Sequence, residues 1–108
     1  MKHCITAVLV TIAISSMLSA AGSQELVQRG AALFEQKGCV GCHFTDSTAR
    51  KVGPGLQGLF QREKLPASGK PVTDENIRGQ LHDPFQRMPS FDLTEEEMRG
   101  LLAYLKTL

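Results

Sequence analysis

Two cysteines and one histidine lie within five consecutive positions in the first half of this chain. Cys39 and Cys42 are separated by two residues, and His43 follows the second cysteine directly. Two thiols at this spacing could form a disulfide, act as a redox-active dithiol, bind a zinc ion or attach a prosthetic group. The residues around the motif decide among these four kinds of chemistry.

Three of these four kinds of chemistry lack what they need. A thioredoxin-like dithiol needs a βαβ setting, which the sequence does not predict. A zinc site needs four ligands, and although His82 would complete that number, the adjacent Cys42 and His43 cannot easily point at one tetrahedral ion. A plain disulfide would not require the adjacent histidine. The motif therefore predicts one covalently bound haem c, with thioethers from Cys39 and Cys42 and with His43 as an axial iron ligand.

A second axial iron ligand has three candidates in the sequence: Met88, Met98 and His82. Met98 lies on the apolar stripe of the last predicted helix, which favours a core position. His82 ends a short predicted helix, where a solvated or capping histidine is more common. Met88 lies in an irregular stretch between Pro84 and Pro89, and the following proline favours an extended backbone. We predict Met88 as the ligand; the alternative is a loop methionine that packs on the porphyrin without binding iron.

The N-terminal segment, residues 1–21, has the pattern of a secretory signal peptide. A positive charge precedes an apolar stretch over 5–18, and small residues follow it. The pattern predicts cleavage after Ala21 or Gly22, which leaves 22–108 as a single domain in the periplasm. A retained membrane anchor is the alternative, but the apolar stretch is at the lower limit for spanning a bilayer and is diluted by serine and threonine.

The composition excludes several other classes of protein. The chain has 108 residues, of which 42% are hydrophobic, too many for an intrinsically disordered chain. Twelve Lys+Arg against 11 Asp+Glu give a net charge of +1, which offers no electrostatic basis for binding nucleic acid or an anionic membrane. With no Trp, one Tyr and five Phe, aromatic side chains can fill little of a core. We expect the porphyrin to supply the missing core volume.

Helical periodicity and capping signals predict an all-α fold with about three helices. Residues 25–37 carry an apolar stripe at helical spacing. Thr73 is an N-cap for a second helix, which must stop by Asp83 because a proline follows. Thr94 and Glu97 form a capping box at the start of the third helix. No segment alternates between apolar and polar residues as a strand would.

The predicted mature chain resembles the small bacterial class I cytochromes c over nearly its whole length. The matching segments are 30–34, 39–43, 51–56, 83–89 and 102–105. The resemblance implies a cytochrome c fold, with three to four helices wrapped around the haem and with the first and last helices crossing at Gly30 near Tyr104.

The resemblance also implies roles for residues around the haem. The Pro54 carbonyl would accept a hydrogen bond from the free ring nitrogen of His43 and fix the orientation of the imidazole. Leu56 would pack on the haem, and Met88 would bind the iron. These are implications of the resemblance and do not follow from the spacing of the residues.

A haem with protein ligands on both faces has no open position for a substrate. We therefore predict a non-enzymatic, monomeric one-electron carrier that shuttles between redox enzymes and docks with them transiently. It would bind no nucleic acid and would not insert in a membrane after cleavage. Lys37, Lys51 and Lys64 could form a docking rim, although simple solubility explains these exposed lysines better. Two alternatives remain: a haem subunit tethered to a larger oxidase or dehydrogenase, and a five-coordinate haem sensor or enzyme if Met88 does not bind.

Overall fold

A computed structural model describes residues 22–108, so the predicted signal peptide at 1–21 lies outside the described residues. Regular structure in the described part is helical, and the strand-like pairing found there is one isolated antiparallel bridge between Lys64 and Pro71. The predicted all-α class is thus confirmed. The helices are α1 over 22–36, α2 over Asp74–His82 and α3 over Glu95–Leu105, with short 3₁₀ turns at Cys39–Gly41 and Leu59–Gln61.

The two later helices begin at the caps that the sequence predicts. The Thr73 hydroxyl accepts a hydrogen bond from the Asn76 backbone N–H at 3.1 Å, and α2 ends before Asp83. The Thr94 hydroxyl accepts from the Glu97 N–H at 3.2 Å, while the Glu97 carboxylate accepts from the Thr94 N–H at 3.0 Å. That backbone hydrogen bond holds the pKa of Glu97 below its ordinary value. The predicted capping box is therefore present.

Helices α1 and α3 cross where glycines let their backbones approach. A Cβ added at Gly30 would lie 2.8 Å from the Cβ of Tyr104 and closer still to the Gly100 carbonyl oxygen. The Phe34 and Tyr104 rings meet edge to face beside this crossing, with centroids 5.5 Å apart. The crossing at Gly30 is confirmed, and Gly100 on α3 is a second glycine that the sequence did not single out.

The core collects one side of each helix and three leucines from the loops between α1 and α2. Met98 is buried among them, as its place on the apolar stripe predicts, and within 22–108 no polar or charged side chain is fully buried. None of the helices in that range is both long and apolar enough to cross a bilayer. The buried apolar side chains are Leu33, Phe34, Leu56, Leu59, Leu65, Ile77, Leu81, Met98, Leu101, Leu102 and Leu105.

Candidate haem site

The core does not close completely but surrounds a cavity of about 680 Å³. This volume falls within the range of pockets that hold small molecules and cofactors. Buried side chains from all three helices face the cavity, so its wall is largely apolar. The predicted site residues all line it: Cys39, Cys42, His43, Pro54, Leu56 and Met88. The fold thus brings together residues that are widely separated in the sequence.

The two thiols lie on a tight turn that follows α1. Gly38 adopts a left-handed backbone with φ of +78°, which ends the helix and starts the 3₁₀ turn. The Cys39 carbonyl accepts hydrogen bonds from the N–H groups of Cys42 and His43 at 3.1 and 3.0 Å. Neither cysteine forms a disulfide, and burial raises the pKa of the Cys39 thiol, which keeps it protonated at neutral pH.

The imidazole of His43 is oriented by the loop that faces it. Its Nδ1 lies 2.8 Å from the Pro54 carbonyl oxygen, which is the contact that the resemblance implied. A carbonyl oxygen can only accept, so Nδ1 carries the proton and donates. In the neutral ring, Nε2 then keeps its lone pair for a metal. A Cβ at Gly53 would lie 2.8 Å from Nδ1, so only a glycine fits against this ring.

The loop that carries Pro54 and Leu56 is itself held by backbone and side-chain hydrogen bonds. The Leu56 N–H donates to the Phe44 carbonyl at 2.8 Å. The Arg62 guanidinium donates from one nitrogen to two carbonyls of the loop, Gly55 at 2.8 Å and Gln57 at 2.6 Å. These bonds fix the backbone from which the Pro54 carbonyl faces His43 and from which Leu56 is buried against the cavity.

Met88 lies half-buried in residues 83–90, which we call the distal loop. Just beyond this loop, the Phe91 N–H donates to the Leu81 carbonyl at 2.8 Å, which ties its far end to α2. The other two candidates for an iron ligand lie elsewhere. Met98 is buried in the core outside the cavity wall, and His82 is exposed and does not line the cavity. Among the three candidates, only Met88 faces the cavity that contains His43.

Several residues of the cavity wall were not predicted from the sequence, Gln80 and Phe91 among them. Gln80 lies beside Leu81 and three positions after Ile77, so the buried side of α2 was a signal for it. Phe91 lies outside any periodic segment, and no local pattern indicated that it faces the cavity.

The arrangement of the cavity fits a covalently attached haem. The thiols lie at one wall, an imidazole with a free Nε2 lies beside them, and the remaining wall is largely apolar. Among residues 22–108, the ionised side chains that line the cavity are the cations Lys37, Arg50 and Arg87, with no carboxylate among them. Two propionate groups would therefore meet complementary charge. In residues 22–108, no group of three His, Cys, Asp or Glu side chains could hold a metal ion on its own, which disfavours the zinc alternative.

Comparisons with known proteins agree with this site. A cytochrome c-553-like protein of Synechocystis sp. is 34% identical over 95 residues, covering 88% of this chain and 78% of the relative. Subunit 2 of the cytochrome c oxidase of Alkalihalophilus pseudofirmus is 33% identical over 92 residues, covering 80% of this chain but 27% of that subunit. The cytochrome c of Kluyveromyces lactis is 42% identical over 52 residues, covering 47% of this chain and 46% of the relative. The chain thus spans about a quarter of the oxidase subunit and under half of the Kluyveromyces protein.

The family comparison covers most of the chain. The model of the family described as Cytochrome c matches residues 27–108, a range that includes the Cys39, Cys42 and His43 motif, the distal loop and α3. The helical fold and the apolar cavity beside that motif agree with the match. The chain therefore belongs to the cytochrome c family, as a small class I member that carries covalently attached haem c.

Proposed function

We propose that this cytochrome c is an exported one-electron carrier whose haem iron is bound by His43 and Met88 and whose haem is linked to Cys39 and Cys42. The observation that carries the proposal is that these four side chains line one cavity. The hydrogen bond from His43 Nδ1 to Pro54 further supports it, because it leaves Nε2 as the metal-binding nitrogen.

The ligands and the cavity wall suit electron transfer rather than substrate chemistry. A bound haem supplies one-electron exchange between ferric and ferrous iron. With His43 and Met88 both holding the iron, a bound haem would have no open position for a substrate or oxygen. The soft Met88 sulfur would favour the ferrous state, and the apolar wall would favour the less charged iron centre. Leu56 belongs to this wall and would pack on the haem.

We further propose that residues 1–21 direct export and are removed after Ala21 or Gly22, so that a monomer works in the periplasm. Redox partners would dock transiently at the cavity mouth. Lys37 is exposed at that mouth, whereas Lys64 does not line the cavity and pairs through its backbone with Pro71. Lys51 lies over the Phe44 ring, 5.0 Å from its centroid. The cations that line the cavity, Lys37, Arg50 and Arg87, thus describe the docking surface better than the three predicted lysines do.

A haem domain in a larger oxidase assembly is the second candidate function. The similarity to an oxidase subunit that is much longer than this chain favours it. Mass spectrometry of the protein from its native host separates the two candidates. A haem-bearing chain that begins at Gly22 or Ser23 supports the free carrier, whereas a retained leader together with co-purification with a membrane oxidase supports the tethered subunit.

The ligand assignment is tested by the Met88→Ala variant of the holoprotein. We expect the sulfur-to-iron charge-transfer band of the oxidised protein to be present in the wild type and absent from the variant. Met98→Leu is the matched control, since it replaces a buried methionine outside the cavity with a side chain of similar volume and should keep the band. A wild type without the band would favour the five-coordinate sensor or enzyme. The spectrum of a denatured pyridine adduct counts the thioether links in the same samples.

A further inference from the structure

Lys51 is exposed, but its ammonium group contacts the chain around the haem motif. The Nζ atom donates a hydrogen bond to the Val40 carbonyl at 3.2 Å and lies 5.0 Å from the centroid of the Phe44 ring. Val40 lies between the two cysteines, and Phe44 directly follows His43. One ammonium group therefore contacts the chain on both sides of the proposed iron ligand.

Residues 51–56, which we call the proximal loop, are also held to this part of the chain by their backbone. The Gly53 N–H donates to the Cys42 carbonyl at 2.8 Å, and the bond from Leu56 to the Phe44 carbonyl holds the far end of the loop. The first N–H group of the loop donates within it, to the Gly53 carbonyl at 2.9 Å. The lysine side chain therefore connects the start of the loop to the haem motif.

We propose that Lys51 is a positioning residue for His43, whose ammonium group closes the start of the proximal loop against the haem motif. This inference rests on the proposed binding of iron by His43. The Lys51 N–H is bonded to the Gly53 carbonyl, so a displacement of the lysine is passed to the glycine that packs against the imidazole. The next residue, Pro54, accepts the hydrogen bond from Nδ1. The closed loop thus keeps both contacts of the imidazole in place.

An ammonium group suits both of the contacts that Lys51 makes. The Val40 carbonyl oxygen accepts one of its N–H groups, and the negative face of the Phe44 ring attracts its positive charge. Arg50 and Val52, the residues on either side, line the cavity, whereas Lys51 does not. The lysine is therefore placed to hold the proximal loop rather than to contribute charge to the cavity wall.

The test measures local opening of the proximal loop in the full, haem-loaded ferrous protein by hydrogen exchange and NMR. The Nδ1–H proton of His43 exchanges with solvent when its bond to Pro54 opens. We expect Lys51→Leu to speed this exchange about fivefold, since one net hydrogen bond is lost. The N–H of Leu102, a buried residue of α3, should keep its wild-type rate, because the loop opens while the core remains folded.

Two further variants separate the ammonium group from other effects of the substitution. Lys64→Leu makes the same change at an exposed lysine outside the cavity wall and should leave the exchange of the His43 proton unchanged. Lys51→Arg keeps a cation with hydrogen-bond donors and should retain the wild-type rate.

The proposal is overturned if Lys51→Leu leaves the exchange of the His43 proton unchanged, or if it speeds the exchange of the Leu102 N–H equally. An increase in Lys51→Arg as large as that in Lys51→Leu would also overturn it. Iron binding by His43 is tested separately in the same spectra, because the porphyrin ring current shifts the ring protons of a bound imidazole far upfield. A wild type without this shift would contradict the ligand assignment itself.

Discussion

The imidazole of His43 has only one nitrogen free for a metal, because Nδ1 already donates to the Pro54 carbonyl. A ring held at a single nitrogen can still rotate, but the neighbouring glycine prevents this. The backbone of Gly53 packs so closely against the ring that a Cβ there would lie 2.8 Å from Nδ1. The hydrogen bond to Pro54 fixes the tautomer of the imidazole, and the close packing of Gly53 fixes the orientation of the ring plane.

Gly53→Ala is expected to push the imidazole away from its position and to weaken its hold on iron. Loss of such an outer contact typically weakens metal binding about 10- to 100-fold, which would move the acid displacement of the ligand upward by about one to two pH units. An acid titration of the holoprotein, followed by its optical spectrum, measures this shift. Gly41→Ala is the control, since a Cβ there meets nothing within 4 Å. An acid transition equal to that of the wild type would contradict the steric argument.

At the scale of the helices, the crossing of α1 and α3 depends on two glycines that face each other. A Cβ at Gly30 would collide with the backbone of Gly100, and backbone cannot move aside as a flexible side chain can. The ion pair between Arg29 and Glu96 lies on the same pair of helices, but it is exposed and contributes little stability. Close backbone packing, rather than this ion pair, therefore fixes the point at which α1 crosses α3.

Gly30→Ala is expected to destabilise the holoprotein. Overpacking at the crossing outweighs the better helix propensity of alanine, and we expect a net loss of about 2 kcal/mol. Gly79→Ala on α2 is the matched control, because a Cβ at that position meets nothing within 4 Å. It should gain up to about 1 kcal/mol from helix propensity alone. Denaturant unfolding of both variants gives the two free energies, and a neutral or stabilising Gly30→Ala would refute the packing argument.

The elements that the sequence predicted are those with local signals. The caps at Thr73 and Thr94 and the stop before Asp83 depend on residues within one turn of the helix end, and the structure confirms all three. The haem motif is likewise local. What could not be predicted depends on distant partners: Gly100 matters because Gly30 lies against it, and Gln80 matters because the distal loop returns to α2.

At the scale of the whole molecule, positive and negative side chains are nearly equal in number, but they are unevenly distributed over the structure. In the part of the chain that the structure describes, the ionised groups that line the cavity are all cations. A group of five carboxylates lies in the first turns of α2 and α3, where they also stabilise the helix N-termini: Asp74, Glu75, Glu95, Glu96 and Glu97. Apart from the negative charge of the propionates, the protein charge that lines the cavity is therefore positive.

The cavity also determines whether the chain can fold without haem. The cavity opens to solvent and its wall is largely apolar, so in the haem-free chain water would contact apolar side chains that form the core. Exposing apolar surface to water costs about 25 cal/mol per Å². A typical domain is stable by only about 5–15 kcal/mol, so this exposure would strongly destabilise residues 22–108.

We therefore expect the Cys39→Ser and Cys42→Ser double variant, which cannot attach haem, to lose most of its helical circular dichroism and to unfold without a cooperative transition. Cys39→Ser alone is the control: it keeps one thioether and His43, so it should mature in lower yield but fold around the haem that is attached. Circular dichroism during thermal unfolding measures both variants. A haem-free double variant that kept full helicity and a cooperative transition would show that the protein core closes by itself. In that case the porphyrin would bind to a protein that is already folded. The size of the cavity indicates instead that the porphyrin is part of the core.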